Sequence, residues 1–377
     1  MQQPTVHKRN VDWTTFLFIT GTTLASLTIV PAYVYFYGAH GSIVFFGAVF
    51  GVATNLSITA GYHRMYAHKA YEASRWIRWV FLAIGAAAFQ GSALKWSSDH
   101  RRHHANEDSD NDPYSINKGF WYAHVEWLFF KESSDQPIHA PDLANDPAVR
   151  WQDKHYPWFA TFMGFGFPTI VGALLGSAIE GFLLGGVLRT VLTQNSTFLV
   201  NSLAHTWGKR PYSLEISARD NICVAFLTHG EGYHNFHHRF QIDYRNGIRW
   251  YHWDPTKWVI QALAAFGQAR KLRVVPNSEI QKAKLQIDQQ VLQSMGHKTD
   301  HLENLKQKIE ALHQDLRRLH AEYQRIKVEM KNNSQIKMDQ IRRDLKTQMR
   351  TTKRELKEQL RRWQFGVQML RAVPVTA

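Results

Sequence analysis

Three short segments of the sequence concentrate histidine, and a fourth histidine motif lies between the last two of them. The three segments are His63-Arg-Met-Tyr-Ala-His68, His100-Arg-Arg-His103-His104 and His234-Asn-Phe-His237-His238, and the fourth motif is Asn201-Ser-Leu-Ala-His205. Residues three and four apart share one helix face, so the second and third segments can each direct three imidazoles to one side. His63 and His68 are five apart, so we expect them at the end of a helix, one on each side of a bend.

Histidines grouped in this way predict a metal site. Nine of the 20 histidines lie in the four motifs, too many for one ion and suitable for two. Imidazole binds iron, zinc, copper and nickel, and the single cysteine, Cys223, excludes a disulfide framework and a CxxC-type site. Iron in a dinuclear site with open positions is the choice among these that would permit O₂ activation. We expect the other histidines, including His229, to be ordinary surface or core residues.

The elements that position these histidines are predicted to be membrane helices. Residues 14–37 and 43–60 carry no charged side chain, and residues 158–179 and 181–204 form a second pair interrupted only by Arg189. Each is about as long as a helix needs to cross a ~30 Å hydrocarbon core. We therefore predict an all-α membrane protein with four transmembrane helices. Lys and Arg are missing from both hairpin tips, so the termini and the histidine segments are expected on the cytoplasmic side, in a helical cap.

A fifth apolar stretch, residues 76–94, is long enough to be ambiguous. It opens with Trp76, Arg78 and Trp79, which favour the headgroup level. If it crossed the membrane, His100 would emerge opposite His63, and the two could not share a site. We therefore predict an interfacial helix here.

The chain changes character after Pro276, and we predict a membrane domain over 1–276 and a helical tail over 277–377. The formal net charge is +14, and residues 279–377 contribute +9 of it, with 21 Lys and Arg against 12 Asp and Glu. A net charge of this size indicates anionic partners such as nucleic acid, membrane headgroups or phosphorylated substrates. The tail carries apolar residues at alternating spacings of three and four, which is the pattern of a coiled coil. These residues are Leu302, Leu305, Ile309, Leu312, Leu316, Leu319, Tyr323, Ile326 and Met330.

The sequence of the tail breaks at Asn332-Asn333-Ser334 and resumes a helical pattern through Ile341, Leu345, Leu356 and Leu360. We expect the leucine stripe to be covered, either by a second copy of the chain in a homo-oligomer or by another partner helix. A single solvated helix is a weaker alternative, because it would leave this regular leucine stripe unpaired. A nucleic-acid-binding tail is weaker because Glu and Asp are interleaved throughout.

The histidine motifs resemble those of the membrane fatty-acyl desaturases, and most closely those of the stearoyl-CoA (acyl-CoA Δ9) desaturase family. The resemblance rests on HRMYAH at 63–68, DHRRHH at 99–104, NSLAH at 201–205, GEGYHNFHH at 230–238 and DYRNGIRWYHWDPTKW at 243–258. It implies a fold of four transmembrane helices under a cytosolic cap, and two iron ions (Fe²⁺/Fe³⁺) with O₂ as co-substrate. The reaction it implies is insertion of a cis Δ9 double bond into a long saturated acyl chain, carried by CoA or a lipid.

Site residues follow from the resemblance position by position. The ligands would be all nine grouped histidines, with Asn201 reaching a metal through water. Gln90, Trp96, Thr197 and Phe198 match positions near a kink in the family's acyl tunnel, although the family usually has Trp where this chain has Phe198. The sequence carries no HPGG motif of a fused cytochrome b5 domain. Electrons are therefore expected from a separate donor of the cytochrome b5 or ferredoxin type.

Carboxylates are expected to accept hydrogen bonds from the ligand imidazoles, and Asp99 and Glu231 are the candidates. The crowded Asp108, Asp110 and Asp112 are attributed to loop and helix-start chemistry. Two other functions stay open: a membrane di-iron fatty-acyl hydroxylase on the same scaffold, and a non-enzymatic histidine-rich protein that binds or transports a metal such as zinc. The second would require polar residues inside the spanning helices, which the sequence almost lacks.

Overall fold

A computed structural model of the chain describes residues 10–131, 139–329 and 335–372, without the side chains of 335–338. The chain forms two compact units. The first comprises Met1–Arg210 and Leu214–Val274, and the second comprises Pro211–Ser213 and Val275–Ala377. Both units are mostly helical, and two-residue strands β1 (Glu72–Ala73) and β2 (Ala269–Arg270) pair antiparallel in the first.

The helices of the first unit are α1 (Trp13–Leu27), α2 (Ile29–Tyr37), α3 (Gly41–Leu56), α4 (Arg75–Ala86), α5 (Ala93–Asn106), α6 (Phe120–His124), α7 (Pro141–Ala144), α8 (Pro147–Lys154), α9 (Tyr156–Thr161), α10 (Phe167–Leu174), α11 (Ala178–Glu180), α12 (Arg189–Thr206), α13 (Ile222–Leu227), α14 (His234–Arg239) and α15 (Pro255–Ala265). Three π-helical segments, Ser57–Ala67, Phe162–Gly166 and Gly181–Leu188, continue α3, α9 and α11, and short 3₁₀ turns lie at Ile116–Lys118 and Glu126–Phe129.

Within the described residues, three helical stretches are long and apolar enough to cross a membrane: Trp13–Tyr37, Gly41–Ala67 and Tyr156–Leu174. The first and third leave most of their apolar side chains uncovered by protein; Leu27, for example, is 69% exposed and Leu174 is 82% exposed. An apolar surface of this extent belongs in lipid rather than in water. The chain is therefore an integral membrane protein.

The fourth predicted span, residues 181–204, lies within a continuous helical stretch from Ala178 to Thr206. Length and composition alone do not identify this stretch as a span. Its one internal cation, Arg189, is 2% exposed and donates to the carbonyl oxygens of Ala87 at 2.6 Å and Gly164 at 2.8 Å. These carbonyl dipoles compensate the buried charge, so Arg189 joins three helical segments. The fourth span stays a prediction.

The fifth apolar stretch ends as a helix at Ala86. Helix α4 has 12 residues and is therefore about 18 Å long, too short to cross the hydrocarbon core. It packs closely on the π-helical end of α3: a Cβ at Gly61 would lie 2.7 Å from Cβ of Phe81, and one at Gly85 would lie 2.6 Å from the Tyr62 ring. Larger residues at either glycine would force the two elements apart. The interfacial placement of the stretch remains a prediction.

The second unit is a bundle of α16 (Asn277–Ser294), α17 (Asp300–Glu329) and α18 (Gln335–Ala372). Helices α17 and α18 run antiparallel, because Leu302 shares an apolar cluster with Trp363 near one end, and Ile326 shares another with Leu345 near the other. The leucine stripe is thus covered by a helix of the same chain, and needs no second copy to bury it. Self-association stays a prediction, and Met330 and the Asn332–Ser334 break lie outside the described residues.

Candidate metal centre

The first histidine pair is held by the π-helical end of α3. All eleven residues of Ser57–Ala67 are buried, and the His68 amide donates to the His63 carbonyl at 3.1 Å, five residues back. A π-helical turn is wider than an α-turn, so residues five apart come onto one face. The expected bend between the two ligands is therefore wrong: the imidazole centroids lie 4.8 Å apart on the same side of one widened helix.

The other histidines come from three helices. His100, His103 and His104 lie on α5, His205 lies in the last turn of α12, and His234, His237 and His238 lie on the short helix α14. The helical spacings of three and four bring each triplet to one side, as the sequence predicted. Eight of the nine grouped side chains are buried, and His104 is half-buried.

The nine imidazoles form two groups, and in each the potential ligand atoms all lie within 4.8 Å of one another. The larger group contains His63, His68, His100, His104 and His237, and the smaller contains His103, His205, His234 and His238. Two adjacent groups of this size match two metal ions rather than one. Asn201, one turn before His205, lines the cavity beside the groups, and its water-mediated role stays a prediction.

Facing ring nitrogens show that both groups are suited to a cation. The Nε2 atoms of His63 and His237 lie 3.0 Å apart, those of His68 and His100 lie 2.8 Å apart, and those of His234 and His205 lie 3.1 Å apart. In His63 the other nitrogen, Nδ1, lies 2.9 Å from Glu231, so its proton is held there and Nε2 presents a lone pair. Lone pairs that converge in this way repel each other unless a positive ion lies between them.

Burial and neighbouring imidazoles keep these rings in the form that binds metals. Burial is the largest cause, and the other histidines of the groups add to it. Both lower the pKa well below its usual value for His68, His100, His104, His234, His237 and His238. The rings are therefore neutral near pH 7, and neutral imidazole is the form that donates a lone pair to a metal. The donor set fits the predicted iron and also other divalent metals.

Carboxylates lie within 3 Å of the Nδ1 atoms of three of the rings. Besides Glu231 on His63, Asp112 lies 2.9 Å from Nδ1 of His103, and Glu107 lies 2.6 Å from Nδ1 of His238. Burial opposes ionisation of Glu231, but His63 and Arg64 lower its pKa to about 2. Burial beside Asp108 and Asp112 raises the pKa of Glu107 to about 8, so this carboxylate favours a positive neighbour.

Two of these carboxylates were missed by the sequence analysis. Asp112 does the expected loop chemistry, accepting from the amide of Tyr114 at 3.1 Å, but it contacts His103 as well. The predicted Asp99 instead forms ion pairs on its own helix, with Lys95 at 3.0 Å and Arg102 at 3.7 Å, and lines the neighbouring cavity. The cluster of acidic residues that follows the second histidine segment was the sequence feature that could have indicated the roles of Glu107 and Asp112.

We expect Asp112→Asn to weaken metal binding by about 10- to 100-fold, because the amide no longer fixes the orientation and basicity of His103. Titration of the metal-depleted full chain with Fe²⁺ measures the change. Asp110→Asn is the matched control, because Asp110 is exposed two residues away and is not a member of either histidine group. Equal affinity in the two variants would refute the role given to Asp112.

An apolar cavity of about 580 Å³ opens onto both histidine groups. Its walls include His63 and His100 of the larger group, His103 and His234 of the smaller, and apolar side chains such as Phe18 and Phe165. Volume and lining suit a long hydrocarbon chain. The contribution of Phe18 and Ile19 from α1 was not predicted, because nothing in an apolar span marks which side chains face a cavity.

The four predicted substrate residues all line this cavity, and three of them are joined by hydrogen bonds. The Gln90 amide donates to Thr197 Oγ1 at 2.9 Å, and the Trp96 indole donates to Gln90 Oε1 at 3.3 Å. Phe198 is 4% exposed and packs edge-on against His124, with ring centroids 5.6 Å apart. These contacts fix the shape of the wall near the histidines.

Comparison with known proteins agrees with the site. Residues 39–272 match the sequence profile of the family described as fatty acid desaturase. The chain is 44% identical over 250 residues to a probable acyl-CoA desaturase of Schizosaccharomyces pombe, and the match covers 66% of this chain and 52% of that protein. It is 36% identical over 253 residues to an sn-2 palmitoyl-lipid 9-desaturase of a Nostoc species (66% and 86% covered). It is 33% identical over 291 residues to an acyl-CoA Delta(11) desaturase of Spodoptera littoralis (74% and 85% covered). The chain thus spans about half the length of its S. pombe relative.

Proposed function

The chain belongs to the fatty acid desaturase family, and we propose that it is an O₂-dependent desaturase that inserts a cis Δ9 double bond into a long saturated acyl-CoA. The observation that carries this proposal is the apolar cavity that passes both groups of converging imidazoles. The cavity supplies a place for an unfunctionalised hydrocarbon chain, and the imidazoles supply a place for the metals that such a chain requires.

We propose two iron ions as the cofactor. The five histidines of the larger group would hold one ion, and the four of the smaller group would hold the other, with Asn201 acting through water. Bound iron would supply O₂ activation and the oxidising power to break an unactivated C–H bond, chemistry that side chains lack. Glu231, Asp112 and Glu107 would keep the lone pairs of His63, His103 and His238 directed at the ions.

The remaining task of the protein is to choose one methylene among many that are chemically alike. Only the depth and shape of the cavity can make this choice, since a methylene offers no polar group to recognise. The hydrogen bonds among Gln90, Thr197 and Trp96 hold a rigid wall beside the histidines. Apolar lining also keeps water away from the reacting carbons.

We further propose the arrangement in the membrane. Four spans (about 14–37, 43–60, 158–179 and 181–204) and an interfacial helix over 76–94 would form a desaturase domain over 1–276, followed by the basic tail over 277–377. The distribution of Lys and Arg supports both termini and the active site on the cytoplasmic side, where acyl-CoA and a separate electron donor of the cytochrome b5 or ferredoxin type are available.

Product analysis tests the proposal. Purified full chain in lipid, with stearoyl-CoA, O₂ and a reducing system, is expected to yield the cis Δ9 olefin by gas chromatography of the fatty acids. A hydroxylated product would instead establish a hydroxylase. A Δ11 olefin, or turnover of phosphatidylcholine in place of acyl-CoA, would correct the position or the carrier. Absence of any oxidised product with both metals bound would favour a non-enzymatic metal protein.

We expect Thr197→Val to make the position of the double bond less specific. The variant keeps the side-chain volume but removes the acceptor for the Gln90 amide, and the loss of one hydrogen bond of about 1 kcal/mol lets the wall relax. Turnover should fall about fivefold, and olefins displaced from the wild-type position should appear. Thr161→Val is the control, because Thr161 lines the same cavity but donates only to its own helix, at the Pro157 carbonyl. An unchanged product pattern in Thr197→Val would contradict this role.

A further inference from the structure

The C-terminal helix α18 carries a face that neither the fatty acid desaturase family nor the proposed reaction explains. The match to the family's sequence profile ends at residue 272, and α18 lies far beyond it, in the second unit. One side of α18 packs on the rest of the bundle through side chains such as Leu345, Leu356 and Trp363. The other side is exposed over its whole described length. The charged and apolar side chains on this exposed side indicate what it binds.

Five cations line the exposed side in a single stripe. Arg343, Arg350, Arg354, Lys357 and Arg361 each precede by two residues a buried or half-buried side chain of the packing face. Two positions along an α-helix differ by about 200°, so the five cations point away from the bundle. They are spaced by seven, four, three and four residues, and at 1.5 Å per residue the stripe is about 27 Å long.

The stripe is not a general property of the basic tail. Helix α17 has six Lys and Arg and six Asp and Glu, whereas α18 has eleven against four. Two of the four acids of α18 pair with other cations, Asp339 with Arg342 and Glu358 with Arg362. In the described part of the chain, none of the five stripe cations forms an ion pair with a carboxylate. The excess charge of the tail therefore lies mainly on α18, and five of the eleven cations of this helix form the exposed stripe.

We propose that this face of α18 binds an anionic lipid surface. The second unit follows directly after a unit with membrane-spanning helices, so a bilayer is always present at a high effective concentration. A straight row of cations can contact a flat layer of lipid phosphates all at once. Beyond Arg361, the exposed side chains of Phe365 and Met369, 64% and 52% accessible, offer apolar groups to the headgroup region.

A labelled full-length chain tests this proposal. Cys223, the only cysteine and an exposed one, is changed to serine, and Gln364→Cys, exposed beside the stripe, takes an environment-sensitive fluorophore. The chain is placed in nanodiscs of phosphatidylcholine alone, or with a third of it replaced by phosphatidylglycerol. We expect a blue-shifted emission, quenched by brominated lipid, only with phosphatidylglycerol, and reversed by high salt.

Charge reversal identifies the residues responsible. Arg350→Glu/Arg354→Glu/Arg361→Glu should remove the response, and the milder Arg350→Gln/Arg354→Gln/Arg361→Gln should weaken it by about fivefold for each lost cation. Lys308→Glu/Arg318→Glu/Lys327→Glu is the matched control, because it reverses three exposed cations on α17 and should leave the response intact. Circular dichroism checks that the bundle stays helical in every variant.

Three results would overturn the proposal. The first is the same emission in both kinds of nanodisc. The second is an equal loss of response in the α17 control. The third is a shift produced by added double-stranded DNA but not by phosphatidylglycerol, which would identify nucleic acid as the ligand. None of these outcomes depends on catalytic activity, so the proposed function stands or falls separately.

Discussion

Replacement of His234 by alanine is expected to reduce turnover by more than about 100-fold, beyond the loss expected for an outer carboxylate. His234 is central to the smaller histidine group: its Nε2 lies 3.1 Å from that of His205 and 3.0 Å from that of His238. Its loss leaves three imidazoles and a gap beside the cavity. Bound iron should fall from about two ions per chain toward one, measured by mass spectrometry of the purified protein.

His229→Asn is the control for this experiment. His229 lies five residues before His234 and outside both histidine groups. Its φ of +55° is left-handed, which asparagine tolerates far better than alanine does. The control should keep both metal ions and most of the activity. Equal losses in the two variants would mean that the region, and not ligation by His234, was disturbed.

Arg64→Met is expected to destabilise the protein by about 3–5 kcal/mol, because it leaves two buried carboxylates without their cation. The Arg64 guanidinium is 1% exposed and donates to Glu231 at 2.9 Å and to Asp254 at 3.0 Å. Asp254 also accepts hydrogen bonds from the backbone amides of Asn246 and Gly247. The ion pairs of Arg64 therefore connect the π-helical segment Ser57–Ala67 to the loop before α15. The melting temperature in detergent should fall by about 10 °C.

The matched control is Arg270→Met. Arg270 also pairs with a glutamate, Glu72, at 3.0 Å, but its side chain is 77% exposed, and surface pairs of this kind contribute about 0–1 kcal/mol. Its melting temperature should therefore change little. Because Glu231 also orients His63, Arg64→Met should weaken metal binding as well. A melting temperature like that of the control would show that the ion pairs of Arg64 do not stabilise the fold.

Spacing along the chain allowed much of the site to be predicted. Histidines three and four apart on α5 and α14 converge because α-helical geometry leaves them no other arrangement. The pair five apart did not follow from this rule. His63 and His68 share a face only because α3 ends in a π-helix, and the buried packing of Gly61 against Phe81, which holds that segment, involves residues distant in sequence.

Long-range contacts explain what the sequence left undecided. The Glu107 contact with His238 and the Glu231 contact with His63 join residues more than 100 apart, and no local pattern specifies such pairs. The leucine stripe of α17 likewise predicts a partner helix but does not specify which helix it is. Helix α18 fills that place: it runs antiparallel to α17, and its Trp363 is 1% exposed against the leucine stripe.

Metal content measured together with turnover, on one preparation of the full chain, tests the central claim most directly. The histidine geometry predicts two iron ions per chain. Activity on stearoyl-CoA should rise with iron content when metal-depleted protein is reloaded with Fe²⁺, and reloading with Zn²⁺ should fill the site without restoring activity. Full activity in protein that holds zinc or no metal would contradict the assignment of the nine histidines to an iron centre.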